Sequence, residues 1–166
     1  MTDKEQKGIT EEKNPILSPK IDVIFQILFG EVGSERITKD FLSSILKEPI
    51  EEIKLDENIV LRREYLKGKM GVVDLLAKIN GKEYCHVEMQ VGEVNHIKER
   101  LLYYWARRYA KTIKESEEYQ ALKRTISILI TDFEVKGLEN LGMHSKWKII
   151  EENGGKQVLT EDLELH

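Results

Sequence analysis

The sequence has little cysteine and no long apolar run. Cys85 is the one cysteine among 166 residues, so an internal disulfide is impossible and a cysteine-based zinc cage is excluded. No apolar stretch approaches the roughly 18 residues of a membrane-spanning helix, and the polar N-terminus lacks the apolar segment of a secretory signal. These absences predict a protein of the reducing cytoplasm with no membrane partner.

An excess of positive charge is also missing. Lysine and arginine number 26 against 30 aspartates and glutamates, for a net charge of −4, which excludes a histone-like or ribosomal type of basic protein. Local basic patches can still bind nucleic acid. Apolar residues make up 40% and charged residues 34% of the chain, which is typical of one globular domain with a buried core.

The two ends of the chain differ in pattern. Residues 1–17 alternate in charge without apolar periodicity, so we predict a mobile N-terminal arm before a domain that spans residues 18–166. Residues 157–166 are predicted to form a strand at a sheet edge. Because the chain stops within that strand, we expect a domain that is truncated at its C-terminal end.

Two helices are predicted first. Ser18 and the proline after it have the residue types of a helix start, and apolar side chains at helical spacing lead from there to a C-terminal cap at Gly30. A second helix is predicted to begin near Ser34, and Pro49 stops it.

The apolar period then changes from that of a helix to that of strands. Strands are predicted at 52–64, 71–79 and 83–91, followed by a long helix at 94–116 and a buried strand at 124–133. This order predicts an α/β (α+β) domain, in which helices flank a mixed central sheet that contains an antiparallel hairpin.

Two acidic residues stand in strands that should be buried. Asp74 lies among valines and leucines, and Glu88 lies between Val87 and Met89. A buried carboxylate is costly unless it is paired or bound to a cation. Gln90 shares a strand face with Glu88, since side chains alternate along a strand.

The hairpin turn decides whether Asp74 and Glu88 can meet. A two-residue loop at Asn80-Gly81 would pair Asp74 with Val87 and place Glu88 on the other face. A three-residue bulged loop would pair Asp74 with His86, so that Glu88 becomes its diagonal neighbour. The sequence permits both turns, and only the bulged one brings the two acids together.

Two carboxylates on one face would suit a hard cation such as Mg²⁺ or Mn²⁺. Such an ion lowers the pKa of a bound water and neutralises charge at a phosphoryl group. The alternative is that Asp74 and Glu88 pair with lysine or arginine at the strand ends, because structural ion pairs also bury acids.

These motifs, taken in order, resemble the PD-(D/E)XK nuclease family transposases, also called Rpn-type recombination-promoting nucleases. The resemblance spans roughly residues 18–166. The positions that support it are Asp22, Phe25, Phe29, Gly30, Asp74, Asn80, Gly81, Glu88, Met89, Gln90, Arg100, Tyr103, Tyr104, Tyr119, Thr131, Asp132 and Phe133.

The resemblance implies a restriction-endonuclease-like core and metal-dependent DNA cleavage. It implies that Asp74 and Glu88 are metal ligands, with the carbonyl of Met89 as a third. Gln90 occupies the position where the superfamily usually has lysine. Glutamine cannot act as a base, but it can orient a water or donate to a phosphate, so Asp74, Glu88 and Gln90 form the expected catalytic set.

Other candidates have more ordinary alternatives. Asp22 could be a further acid at the metal, or simply a first-turn acid favoured by the helix dipole. Arg100 could bind a DNA phosphate or brace Glu88. His86 is expected to be a satisfied core or rim histidine, and Cys85 to belong to the core on the opposite face.

The leading prediction is a Mg²⁺- or Mn²⁺-dependent DNA endonuclease domain that hydrolyses phosphodiester bonds. The resemblance implies a 5′-phosphate product. The alternative is a catalytically silent nuclease-like domain that binds DNA or assembles with a partner. The sequence leaves a homodimer open as a form of assembly.

Overall fold

A five-stranded mixed sheet organises the computed structural model, which describes residues 16–56 and 75–166. The elements are α1 (Asp22–Phe29), α2 (Glu35–Leu46), β1 (Ile53–Leu55), β2 (Leu75–Ile79), β3 (Glu83–Gln90), α3 (Ile97–Ala110), a short 3₁₀ helix (Tyr119–Ala121), β4 (Thr125–Thr131) and β5 (Leu163–Leu165). The strands lie in the order β1-β2-β3-β4-β5. The β1–β2 and β2–β3 pairs are antiparallel, and the β3–β4 and β4–β5 pairs are parallel. The predicted α/β class and mixed sheet are confirmed.

One face of the sheet holds the apolar core. Alternate residues of the central strands, such as Cys85 and Val87 of β3 and Ile126 of β4, are fully buried there. Phe25 of α1 and Leu42 of α2 cover them. This arrangement follows from period-two alternation in the strands and an apolar stripe on each helix. It confirms the prediction that Cys85 belongs to the core, and burial raises the pKa of its thiol.

The β2–β3 hairpin forms with a register that differs from both expectations. Ile79 pairs with Glu83, not with Lys82, and Leu76, not Asp74, pairs with His86. The predicted turn residues are used. Asn80 and Gly81 both take positive φ angles, of 48° and 72°, and the N–H of Lys82 donates to the carbonyl of Ile79 at 3.2 Å. Lys82 is the extra residue, so pairing resumes one position later.

Several element boundaries also differ from the prediction. The first helix begins at Asp22 and not at Ser18, because the Ser18 side chain accepts the N–H of Lys20 in a preceding turn. The second helix begins after Ser34, as predicted. The predicted helix at 94–116 is shorter, since the Thr112 hydroxyl bonds back to the carbonyl of Tyr109 just past its end.

The outer strands are short. The described part of the predicted strand 52–64 is limited to β1 at one sheet edge, and residues 57–74 lie outside the described residues. Of the predicted edge strand at 157–166, only Leu163–Leu165 form a strand, which is β5, the last in the sheet order. Trp147 forms an antiparallel bridge with Leu165 on the other side of β5.

Candidate functional site

The polar face of β3 lies opposite the apolar core. Tyr84, His86, Glu88 and Gln90 share this face, because they alternate with the core residues of the same strand. Helix α3 covers this face through ion-pair and ring contacts. Glu88 is only 3% exposed there, so it is the buried acid that the sequence predicted for this strand.

Glu88 forms an ion pair with Arg100 in the first turn of α3. Arg100 Nη2 contacts Glu88 Oε1. Even so, neither Glu88 Oε1 nor Arg100 Nε has a hydrogen-bond partner of acceptable geometry among the described residues. The guanidinium also lies 5.7 Å from the centre of the Tyr104 ring. In this structure Arg100 therefore braces Glu88, which is one of the two roles expected for it.

Gln90 and Met89 stand at the carboxyl end of β3. Gln90 is half-buried and pairs with Thr131 of β4, on the face that it shares with Glu88. Met89 points to the opposite face and packs against the core. The end of β4 adds Asp132, whose carboxylate accepts the N–H of Gly92 at 3.2 Å.

Lys20, just before α1, brings a second charged group to this end of the sheet. Its Nζ lies 3.7 Å from Asp132 Oδ2. Asp132 and Lys20 were not among the predicted site residues. Asp132 lies next to the end of the predicted strand 124–133 and is one of the positions of the family resemblance, and these two signals could have placed it beside the end of β3.

Two other predicted acids are not brought to this site by the described structure. Asp74 lies outside the described residues. Asp22 is the first residue of α1, and the structure describes its backbone but not its side chain. Of the predicted acids, the described part of the chain thus places Glu88 alone on the polar face of β3.

His86 lies two residues before Glu88 on the same face. It is 3% exposed, and its Nδ1 lies 3.2 Å from the Ser127 hydroxyl. Its Nε2 has no hydrogen-bond partner among the described residues. The expectation of a core histidine is confirmed, but the expectation of a satisfied one is wrong. Burial, together with the positive charge of Arg108, lowers the pKa of His86 to about 3, so the imidazole is neutral.

Helix α3 supplies further groups to this face. The Arg108 guanidinium lies 4.5 Å from the centre of the Tyr84 ring and 3.9 Å from Asp56 Oδ2. Tyr104 is buried, and its neighbour Tyr103 is 54% exposed. Tyr103 is therefore the residue of the two that could stack on a base.

A second charged cluster surrounds Glu164 of β5, which is 1% exposed. Its carboxylate accepts hydrogen bonds from Arg124 at 2.8 Å, from Lys146 at 2.6 Å and from His166 at 2.6 Å. Burial alone would raise the pKa of Glu164, but the bonds from His166, Lys146 and Arg124 outweigh burial and hold that pKa well below its usual range. Sequence reasoning missed this cluster, since Arg124 and Lys146 are far from Glu164 along the chain.

The donor set of the polar face favours oxygen ligation. In residues 16–56 and 75–166, no group of three or more histidine, cysteine, aspartate or glutamate side chains could hold a metal ion. Glu88 nevertheless offers a buried carboxylate whose Oε1 lacks a well-formed hydrogen bond, and Gln90 offers an amide on the same face. These groups fit a hard divalent cation, provided that another ligand comes from elsewhere.

Comparison with known proteins adds one finding. A family model described as PD-(D/E)XK nuclease family transposase matches residues 19–166. No curated protein and no solved structure matches the chain. In the described residues, no helix is both long enough and apolar enough to cross a membrane.

Proposed function

Because the chain belongs to the PD-(D/E)XK nuclease family transposases, we propose that it is a metal-dependent DNA endonuclease domain that hydrolyses phosphodiester bonds. Family membership supports a nuclease-like function, and the mixed five-stranded sheet is consistent with a restriction-endonuclease-like fold. The observation that carries the proposal is Glu88, a buried carboxylate on a central strand that pairs with Arg100 and with no other cation in the described part of the chain.

The second acid of the proposed site is Asp74. The pairs of β2 and β3 keep a single register up to Leu75 and Val87. If pairing continues by one residue, position 74 faces Glu88 directly. Residues that pair directly in an antiparallel ladder have Cβ atoms about 5 Å apart, which is close enough for two carboxylates to share an ion.

The proposed roles follow from the chemistry of each side chain. Asp74 and Glu88 would hold Mg²⁺ or Mn²⁺, with the carbonyl of Met89 as a third ligand. Bound there, the ion would supply a water of lowered pKa and charge neutralisation at the phosphate. Gln90 would orient the attacking water or donate to a phosphate oxygen, and Asp22 remains a proposed further acid.

One observation favours a second candidate function. Arg100 already neutralises Glu88, and Gln90 cannot act as a general base. A nuclease-like domain that had lost cleavage could show the same arrangement and still bind DNA or assemble with a partner, including a second copy of itself.

A plasmid-nicking assay separates the two functions. Supercoiled plasmid with Mg²⁺ is incubated with wild type, Asp74→Ala, Glu88→Ala and the control Glu161→Ala, whose carboxylate is exposed and pairs with Lys148. We expect wild type and the control to nick equally, and both site variants to lose cleavage because each lacks an irreplaceable ligand.

Gln90→Ala is expected to be milder in the same assay. It removes only a neutral orienting group, which costs about 10²–10³-fold in rate at most. If Asp74→Ala and Glu88→Ala nick as fast as wild type, the cleavage proposal is wrong. If wild type does not nick at all but binds DNA, the silent-domain function replaces it.

A further inference from the structure

We propose that Arg100 is the resident counter-ion of Glu88 in the cation-free protein, and that a divalent cation displaces it. The freed guanidinium then binds a phosphate of the DNA. This inference rests on the proposed function, and it joins the two roles of Arg100 into one exchange: it braces Glu88 before the cation binds and holds the substrate afterwards.

Arg100 and a divalent cation are expected to compete because both bind the same oxygen atom of Glu88. Arg100 Nη2 contacts Oε1 of Glu88, which is an oxygen that a hard cation would use. A guanidinium and a divalent cation repel each other strongly inside a protein, since their Coulomb energy rises as the dielectric constant falls. The Glu88 side chain is 4% exposed, so it has little room for both, and one positive group replaces the other.

The geometry of the Arg100–Glu88 ion pair favours the replacement of Arg100 by a cation. Arg100 Nε takes no part in the contact with Glu88, so the pair lacks the two parallel bonds from Nε and Nη that make many arginine–carboxylate pairs strong. The Nε of Arg100 and the Oε1 of Glu88 have no well-formed hydrogen bond among the described residues. A divalent cation that takes several oxygen ligands can therefore compete with Arg100 for this carboxylate.

The Arg100 guanidinium can also leave Glu88 for an environment that stabilises its charge. The Arg100 side chain is 25% exposed, and the centre of the Tyr104 ring lies 5.7 Å from its guanidinium carbon. A guanidinium is stabilised over an aromatic ring. Because a quarter of the Arg100 side chain already reaches solvent, the guanidinium can turn outward to meet a phosphate, and releasing Glu88 then leaves no buried positive charge unpaired.

The first test is Mn²⁺ affinity, measured by calorimetry without DNA. We expect Arg100→Gln to bind Mn²⁺ about tenfold tighter than wild type, because the competitor is gone; this factor corresponds to about 1.4 kcal/mol. Lys98→Gln is the matched control. It removes one positive charge from an exposed position in the first turn of α3 and should bind as wild type does. Glu88→Gln should abolish binding.

A second measurement needs no change at Arg100. In wild type labelled with ¹⁵N at arginine, the Nε signal of Arg100 should shift and sharpen as Mg²⁺ is added, because its side chain becomes free. The same titration of Glu88→Gln should leave it unchanged. An unaltered signal at saturating Mg²⁺ would contradict the exchange, whether or not Arg100→Gln folds.

A DNA-binding experiment tests whether the released Arg100 binds a phosphate. Binding of a labelled DNA duplex is measured across salt concentrations, in EDTA and in Ca²⁺. In EDTA we expect wild type and Arg100→Gln to bind alike, since Arg100 is tied to Glu88. In Ca²⁺ we expect wild type to bind several-fold tighter, with a salt slope steeper by about one.

The outcomes separate this inference from the proposed function. If wild type binds Mn²⁺ through Glu88 but Arg100→Gln binds no tighter, the exchange is wrong and the metal site stands. If Arg100→Gln weakens DNA binding equally in EDTA and Ca²⁺, the phosphate role is permanent and the exchange is again wrong. If wild type shows no Glu88-dependent Mn²⁺ binding, both proposals fail.

Discussion

Glu88 and Glu164 are both buried carboxylates in one sheet, yet their surroundings differ. Glu164 is 1% exposed and Glu88 is 3% exposed. Glu164 accepts hydrogen bonds from Arg124, Lys146 and His166 at 2.8 Å or less. Glu88 contacts Arg100 alone among the described ion pairs, and its Oε1 lacks a well-formed hydrogen bond.

The difference teaches how a structural acid can be told from a candidate ligand. Burial alone does not distinguish them, because both acids are almost inaccessible to water. The completeness of hydrogen bonding does, since buried polar groups in folded proteins are normally satisfied and an exception requires an explanation. By this criterion Glu164 is a structural acid, whereas the incomplete bonding of Glu88 fits its proposed role as a ligand.

The largest expected effect tests this contrast directly. Glu164→Gln should lower the free energy of unfolding by about 3–5 kcal/mol, because it removes the buried charge with which both Arg124 and Lys146 pair. Glu88→Gln should cost much less, because Arg100 can turn towards solvent. Urea denaturation of both variants without metal gives the comparison. Equal losses would mean that Glu88 is also a structural acid.

The next largest effect is a dependence of stability on pH, in which His86 and Glu164 act over different pH ranges. His86 has a pKa of about 3 in the folded protein against 6.5 for an ordinary histidine. Below about pH 6.5 the unfolded chain gains a proton that the native state does not. Stability should therefore fall with decreasing pH, by about 1.4 kcal/mol per pH unit for this group.

His86→Gln tests that window. Between pH 6.5 and 5, the variant should lose about 2 kcal/mol less unfolding free energy than wild type does. The lowered pKa of Glu164 stabilises the fold above about pH 4.5 and costs stability only as pH falls below that value. An unchanged slope above pH 5 in His86→Gln would show that His86 is not held neutral.

A smaller effect is expected from paired lysine substitutions. Arg124 donates to Glu48, Glu83 and Glu164 at once, and a lysine cannot span three acceptors. Arg124→Lys should therefore cost about 1–3 kcal/mol of unfolding free energy. Arg100→Lys keeps a positive charge beside Glu88 and should cost less than Arg124→Lys, because Arg100 pairs with one carboxylate among the described residues and Arg124 with three. Thermal denaturation without metal would reveal a reversed order, which would contradict the proposed contrast.

The smallest effect is expected at an exposed ion pair, which serves as the reference for the other changes in unfolding free energy. Lys148 and Glu161 form an exposed ion pair, and exposed pairs contribute about 0–1 kcal/mol. Glu161→Ala should therefore change the free energy of unfolding by less than about 0.5 kcal/mol in the same urea experiment. A larger loss would show that charge pairs near β5 act together, and the loss at Glu164 would then need to be reassigned.

Sequence patterns predicted the parts of the fold that depend on nearby residues. Asn80 and Gly81 predicted the hairpin because the left-handed conformation is a local property of these residues. The same signal could not fix the register, since the extra residue Lys82 depends on how the two strands pair. Ser18 misled in a similar way, because its side chain stabilises a turn as readily as a helix start.

The candidate site was predictable only where alternation along one strand sufficed. Glu88 and Gln90 share a face in any strand that contains both. The pairing of Glu88 with Arg100 depended on where α3 packs, so the sequence left two roles open. The Glu164 cluster depended on Arg124 and Lys146, which long-range packing brings to Glu164, as well as on His166 two residues further along the chain. No local pattern signals such a cluster.

The hairpin and the parallel pair that meet at β3 also differ in the length of chain that must be ordered before each forms. β2 and β3 are joined by three residues, whereas residues 91–124 separate β3 from its parallel partner β4. Local contacts form faster because closing a short loop costs less entropy. The turn at Gly81, where φ is +72°, should thus be formed in the folding transition state, so that Gly81→Ala slows folding. The bond from the Trp105 indole to the carbonyl of Thr125 should form after the barrier, so that Trp105→Phe mainly speeds unfolding.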